Sequence, residues 1–306
     1  MSAVAMVTST LFVGFLFVVH PWYERWGATD EEVSRTLPGD EVLGRTARQE
    51  TRATTIDAPI ESVWPWLAQL GQDRGGFYSF RILEDLVGCE MPDADRILPE
   101  KQEWKPGDRL WMYPPHKLGG AGSAPLRGLV PGRALVFGTW QLGTSREGPN
   151  DGSWAFVLEP AGDGRATRLL VRGRALASPG IGAAVFDRLV FEPIHFVMEK
   201  KMMRELAARA EGRGPTAVRD AIEVVAWTVT FVVFFTAFVL SLRRSSYGRS
   251  LGVMFAAGLA FQLLTFGQPG AIAASVVASL LLLALVGDKI GTQPLETRPG
   301  VPAPSR

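Results

Sequence analysis

Apolar and polar positions divide this chain into a patterned middle flanked by charge-free runs. Ala3 to Val19 carries no charged residue and ends at His20-Pro21-Trp22-Tyr23, an aromatic group suited to a membrane–water interface. Seventeen residues is the lower limit for a spanning helix. A cleaved signal peptide is the rival reading. No Lys or Arg precedes the run and no small-x-small site follows it, so residues 1–22 are expected to form an uncleaved transmembrane helix. Near the other end, Val224 to Leu242 is uncharged, and Ser250 to Gly287 is interrupted only by Gly267-Gln268-Pro269-Gly270. Residues 214–287 therefore read as a membrane domain of three helices, the last two joined at that turn. The Pro-rich 288–306 is expected to be a disordered tail.

The middle changes period. Residues 23–50 are charged and turn-rich and read as a linker. Thr51–Asp57 alternates as a strand, and Ile60–Leu70 has apolar Ile60, Val63, Trp64, Leu67 and Leu70 at helical spacing. A second short helix fits Ser79–Val87. Strands follow at Asp108–Tyr113, Arg127–Val130, Ala134–Trp140, Ser153–Glu159 and Arg168–Ala177, separated by Gly, Pro and Asn-Asp turn signals, which makes an antiparallel meander. One long helix, Gly182–Glu211, closes the region, with Pro193 placed to kink it.

Within that order, Ile56-Asp57-Ala58-Pro59-Ile60-Glu61-Ser62-Val63-Trp64-Pro65-Trp66-Leu67 resembles the opening of the START-like superfamily, also called SRPBCC or polyketide cyclase/dehydrase-like. Gly71-Gln72-Asp73-Arg74-Gly75-Gly76-Phe77-Tyr78-Ser79, followed by Leu86-Val87-Gly88-Cys89, resembles a membrane-anchored bacterial subgroup. The resemblance covers about residues 51–213. It implies an α+β helix-grip fold: an antiparallel sheet wrapped round a long C-terminal helix, with an apolar cavity between them, here flanked by one N-terminal and three C-terminal transmembrane helices. It also implies a protein that binds lipids, polyketides or other hydrophobic small molecules. The superfamily holds carriers, sensors and a minority of enzymes.

Candidate cavity residues follow from strand and helix faces. Trp111 and Tyr113 share one strand face, Trp154 and Phe156 another, and Phe137 lies on a third strand. Phe186 and Val190 could look into the sheet from the long helix. Core packing is the alternative for each. His195 lies inside the helical apolar pattern with no visible catalytic partner, so a hydrogen-bonded structural histidine is the first expectation and a ligand contact the second. Asp73, Arg74 and Tyr78 read either as a pocket-mouth clamp on a polar head group or as an ion pair fixing the Gly71–Gly76 loop. Glu84, Asp85, Glu90, Asp93 and Asp95 lack any calcium-loop spacing and read as a solvated face. Arg168, Arg172 and Arg174 alternate along one strand, marking its solvent side.

Composition narrows the classes. Among 306 residues, 32 Lys+Arg face 31 Asp+Glu, so the charge of +1 gives no general case for nucleic-acid binding. Mean hydropathy of +0.11 with 21% charged residues is too apolar for a disordered chain. One cysteine, Cys89, excludes an intramolecular disulfide and a multi-Cys zinc site. No P-loop, nucleophile elbow or HExxH occurs, and neither a cofactor nor a metal is expected. The basic end of the long helix, with Lys200, Lys201, Arg204, Arg209 and Arg213, tips the soluble domain toward the cytoplasm of a cell-membrane protein. The resulting expectation is a membrane-tethered binder of a hydrophobic small molecule or lipid. A polyketide cyclase/dehydratase-type enzyme and a membrane regulatory subunit are the alternatives.

Overall fold

The computed structural model describes residues 2–44, 46, 48–117, 122–138, 152–214, 217–243 and 247–290. It separates into two compact units, residues 1–15 with 221–306 and residues 16–220.

The first unit is helical. α1 (Ala3–Glu24) enters it with its first turns, and α7 (Ala217–Leu242), α8 (Tyr247–Gly267) and α9 (Ala271–Ile290) follow. Ala3–Glu24, Ala217–Leu242 and Gly248–Gly267 are long and apolar enough to cross a membrane, whereas the apolar part of the fourth helix, Ala271–Val286, is shorter. Helix α9 carries Asp288 to Ile290 with it, and the rest of the expected tail lies outside the described residues. Close approach of helices in this unit depends on a missing side chain: a Cβ on Gly258 would lie 2.5 Å from Leu11 Cδ1.

The second unit holds a six-stranded antiparallel sheet. Its strands are β1 (Arg48–Ile56), β2 (Arg109–Trp111), β3 (Ser123–Val130), β4 (Ala134–Gly138), β5 (Gly152–Ala161) and β6 (Ala166–Ala175), in the spatial order β1-β6-β5-β4-β3-β2. Between β1 and β2 lie α3 (Ile60–Ala68) and α4 (Arg81–Leu86), after a short α2 (Asp30–Ser34). The last strand feeds one continuous helical run over residues 181–210. It comprises α5 (Ile181–Phe186), a wider π turn at Asp187–Phe191, and α6 (Glu192–Ala210). Pro193 explains the wider turn, since a proline cannot donate to the carbonyl four residues back and its ring needs room there.

Strict alternation gives the sheet two different faces. Leu135, Phe137, Phe156, Leu158, Leu169 and Val171 form one buried cluster with Met202, Met203 and Leu206 of α6 and with Val63 and Leu67 of α3. This is the inner face.

The outer face corrects the expectation that residues 23–50 are a linker and that the β6 arginines meet water. Leu37 packs with Ala53, Ala134, Val157 and Leu170. Gly39, at φ +99°, comes so near that a Cβ would stand 2.8 Å from Val136 Cγ1. Arg172 is buried, donating to the carbonyls of Glu32 (2.6 Å), Val33 (3.1 Å) and Arg35 (2.8 Å) and to Asp40 Oδ2 (2.7 Å). Arg168 holds both Glu32 oxygens at 2.7 and 2.8 Å, and Arg174 reaches the Asp40 carbonyl. The acidic, turn-rich segment is a strap across the sheet, and the three arginines are its fasteners.

Candidate functional site at the sheet–helix seam

At the end of the inner face where β1 and α6 begin, charge replaces apolar packing. On β1, Arg48, Glu50 and Arg52 alternate and so share the face paired with Ala175, Gly173 and Val171. On α6, Glu192, His195 and Glu199 recur at i, i+3 and i+7 and meet them. Arg48 binds Glu192. Arg52, fully buried, donates to Glu199 Oε1 at 2.6 Å, to Glu50 Oε2 at 2.8 Å and to the Tyr23 carbonyl at 2.9 Å, with its guanidinium 5.0 Å from the Phe196 ring centroid. Glu192 also meets His20 Nε2 at 2.7 Å.

His195 stands between the two remaining carboxylate oxygens. Its Nδ1 is 3.7 Å from Glu50 Oε1 and its Nε2 is 3.9 Å from Glu199 Oε2. Trp154 Nε1–H donates to that same Glu199 oxygen at 2.8 Å. The Trp154 and His195 rings lie 5.4 Å apart, and Phe191 stacks on His195 at 5.6 Å. Both Trp154 and His195 remain partly exposed, although each lies on the inner side of the sheet. Gly173, opposite Trp154, makes the room: a Cβ there would sit 2.6 Å from Glu50 Oε1. Burial works against charge on Glu50, but Arg52, His195 and Arg48 outweigh it and hold the carboxyl below its ordinary value.

Glu50, His195 and Glu199 each offer a donor atom, all within 4.8 Å of one another. The set does not fit a cation well. Arg52 already occupies one oxygen of each carboxylate, so a divalent ion would sit beside a buried guanidinium. What the arrangement does support is hydrogen bonding and proton exchange, with an imidazole flanked by two acceptors and an indole N–H beside them.

The residues singled out from the sequence fall into four places. Trp154, His195, Phe156 and Phe137 come together, with ring centroids 4.6 Å apart for Trp154–Phe156 and 6.3 Å for Phe137–Phe156. Phe137 and Phe156 are fully buried and form the floor beneath Trp154. Trp111 and Tyr113 belong to the far edge of the sheet, where Tyr113 Oη donates to the Val87 carbonyl at 3.2 Å. Asp73 is exposed, and Arg74 stacks 3.7 Å over Trp104 while donating to the Lys101 carbonyl at 2.8 Å. Tyr78 is buried at φ +54°, its hydroxyl 3.3 Å from the Trp66 carbonyl and its ring under Arg209 at 4.4 Å. Phe186 and Val190 do not look into the sheet. They stand exposed on the helix before α6.

Sequence reasoning missed Arg48, Glu50, Arg52, Glu192 and Glu199. The signal was present as a sign-alternating strand face, Arg-x-Glu-x-Arg, matched by Glu-x-x-His-x-x-x-Glu on the closing helix.

The strand order and the long helix across the inner face give an α+β helix-grip fold. Neither a family model nor a curated protein matches the sequence. Among solved structures, it is similar to protein MLL2253 of Mesorhizobium loti, with 16% identity over 54% of this chain and 97% of that one and a TM-score of 0.29. CalU16 of Micromonospora echinospora shows 17% identity over 58% and 90%, with a TM-score of 0.27. The Polyketide_cyc-like protein Cgl2372 of Corynebacterium glutamicum shows 14% over 54% and 84%, with a TM-score of 0.25.

Proposed function

We propose that the protein is a membrane-tethered module that binds a small molecule with an apolar body and a hydrogen-bonding head between its sheet and its closing helix. One observation carries this reading: Trp154 and His195 keep partial exposure on the inner wall, above a floor of Phe137 and Phe156 and beside a network of buried charges. Small-molecule sites combine apolar walls with few convergent polar groups in this way. The ligand's apolar part would cover Trp154, Phe77 and Phe191, and its head would face His195, Glu50 and Glu199. Asp73, Arg74, Tyr78, Trp111 and Tyr113 belong to the remoter rim in this reading, and Phe186 and Val190 to its approach. Tethering by α1 and by the C-terminal spans, with the soluble unit on the cytoplasmic side of the cell membrane, would keep the pocket near a reservoir of apolar ligands.

The imidazole between two carboxylates also favours a second reading, an acid–base enzyme of cyclase or dehydratase type, in which His195 moves the proton and Glu50 and Glu199 orient its ring.

Native mass spectrometry and solvent extraction of the detergent-purified full chain test the proposal. An apolar molecule that copurifies with the wild type and is lost in Trp154→Ala supports it. Ligand-free protein recovered repeatedly from cells and from membranes refutes it. Retained binding with altered product chemistry in His195→Ala would select the enzymatic reading.

A further inference from the structure

The helical run that follows β6 leaves the domain before it returns as α6. No residue of α5 or of the π turn is buried. Apart from the partly buried Phe191, its large apolar side chains are Ile181, Val185, Phe186, Leu189 and Val190. All are exposed, Ile181 at 85% and Phe186 at 56%, and Ile194 in the next turn is exposed as well. In a water-exposed helix these positions would be polar, and so continuous an apolar surface marks a contact.

Two features say which contact. The run contains only two charges, and each has a partner within the protein: Asp187 accepts from the Ser178 hydroxyl, and Arg188, still exposed, lies 3.5 Å from Glu24. The second feature is location. Glu24 ends α1, and one helical turn earlier His20 Nε2 meets Glu192 at 2.7 Å, while Trp22 packs edge-on against Phe196 with centroids 5.7 Å apart. The base of the projecting helix is therefore clamped to the last turn of the apolar helix α1. Phe17 and Val18, one turn before that clamp, are exposed too. The surroundings of the end of α1 are therefore shared by the base of this helix at Arg188 and Glu192.

We propose that α5 and the π turn form an interfacial helix, lying at the surface of the bilayer that α1 crosses, with Ile181, Val185, Phe186 and Val190 among the acyl chains. Helices of this kind bury their apolar side about 5–10 Å into the headgroup–acyl boundary. Because this helix leads directly into Phe191 and His195, the bilayer surface would lie at the mouth of the candidate pocket. The inference rests on α1 crossing a membrane. It does not depend on any ligand being bound.

Lipid-depth quenching on the full chain in phosphatidylcholine–phosphatidylglycerol vesicles tests it. Single cysteines are introduced by Phe186→Cys and Val190→Cys, and labelled with an environment-sensitive fluorophore. Val13→Cys on α1 reports the spanning helix. Arg165→Cys reports the β5–β6 turn, which lies at the opposite end of the strand from Trp154, some 25 Å of extended chain away. The wild type, whose Cys89 is buried, is the labelling blank. The expected result is quenching by nitroxide-labelled phosphatidylcholine at 186 and 190 at least about twofold above that at 165, with blue-shifted emission. Quenching at 13 but not at 186 or 190, with those sites open to a water-soluble quencher, overturns the inference and leaves the tether standing. Sites 186 and 190 shielded from both quenchers would mean that protein covers them, whether a second copy or another part of the chain, and that also overturns it. No lipid quenching at 13 either removes the tether and this inference together.

Discussion

Replacing Arg52 by methionine keeps most of the side chain's length and removes only its charge and donors. The consequences can be worked from its partners. Glu199 Oε1 loses a donor at 2.6 Å, Glu50 Oε2 one at 2.8 Å and the Tyr23 carbonyl one at 2.9 Å, and little water can replace them, because Arg52, Glu199 and Tyr23 are buried and Glu50 is only partly exposed. Removing one partner from a buried ion pair costs about 3–5 kcal/mol. For a unit of about 200 residues, each kcal/mol moves the melting temperature by roughly 2–4 °C, so Arg52→Met is expected to melt roughly 10 °C lower at pH 7.5. The loss should shrink with acid. Arg52 helps hold the Glu50 carboxyl below its ordinary value, so without the guanidinium Glu50 takes a proton more readily and its uncompensated charge disappears as pH falls toward 5. The triple variant Arg52→Met, Glu50→Gln, Glu199→Gln removes the stranded charges and should recover more than half of the loss. Thermal unfolding of the detergent-solubilised chain, followed by tryptophan fluorescence at pH 7.5 and 5.0, measures all three. A loss below about 2 °C, or one equal at both pH values, would refute the account of the seam as a mutually compensating charge ladder.

Gly173→Ala should destabilise by about 1–3 kcal/mol, because its Cβ meets Glu50 Oε1 at 2.6 Å and that oxygen belongs to a carboxylate held by Arg52; adding Glu50→Ala should restore space and relieve the strain, as chemical denaturation would show. Glu84 is buried, and burial, then Asp93 and Asp85, pushes its carboxyl up to about 7. The folded form therefore binds a proton more tightly than the unfolded chain, so stability falls as pH rises from about 4.5 to 7 and stays at the lower level above; Glu84→Gln should flatten that fall, and melting curves across the interval check it. The Cys89 thiol is pushed up to about 11, first by burial and then by Glu84, so iodoacetamide at pH 8 should modify it only slowly in the native chain and rapidly after unfolding, read by intact mass.

Local pattern made much of the fold legible. Alternation from Thr51, the Pro-Gly turns and the spacing of Val63, Leu67 and Leu70 gave strands and helices in the observed order, because each element buries one face and periodicity records which. Two things were not written locally. The strap over residues 27–43 looks like solvent-exposed chain because its polar atoms are satisfied by Arg168, Arg172 and Arg174, more than a hundred positions away. The charge ladder was hidden for the same reason, since Glu50 and Arg52 read as an ordinary polar strand face until Glu199 is set against them. Trp154 and Phe156 were read onto one strand face, but nothing in the sequence placed His195 beside Trp154, where the helix brings it to 5.4 Å. Phe186 and Val190 have the apolarity of core residues, and only the three-dimensional path shows that their helix has left the domain.

The buried state of His20 and Tyr23 has a practical corollary. The last turn of α1 is folded into the unit that carries the sheet, with the Tyr23 backbone bonded to Arg52 and the His20 imidazole to Glu192. The end of this apolar helix is thus no segment that can be trimmed at will. A fragment cut after residue 24 would lose two ring faces and a carbonyl from its own interior, whereas one that keeps residues 20–24 would retain them.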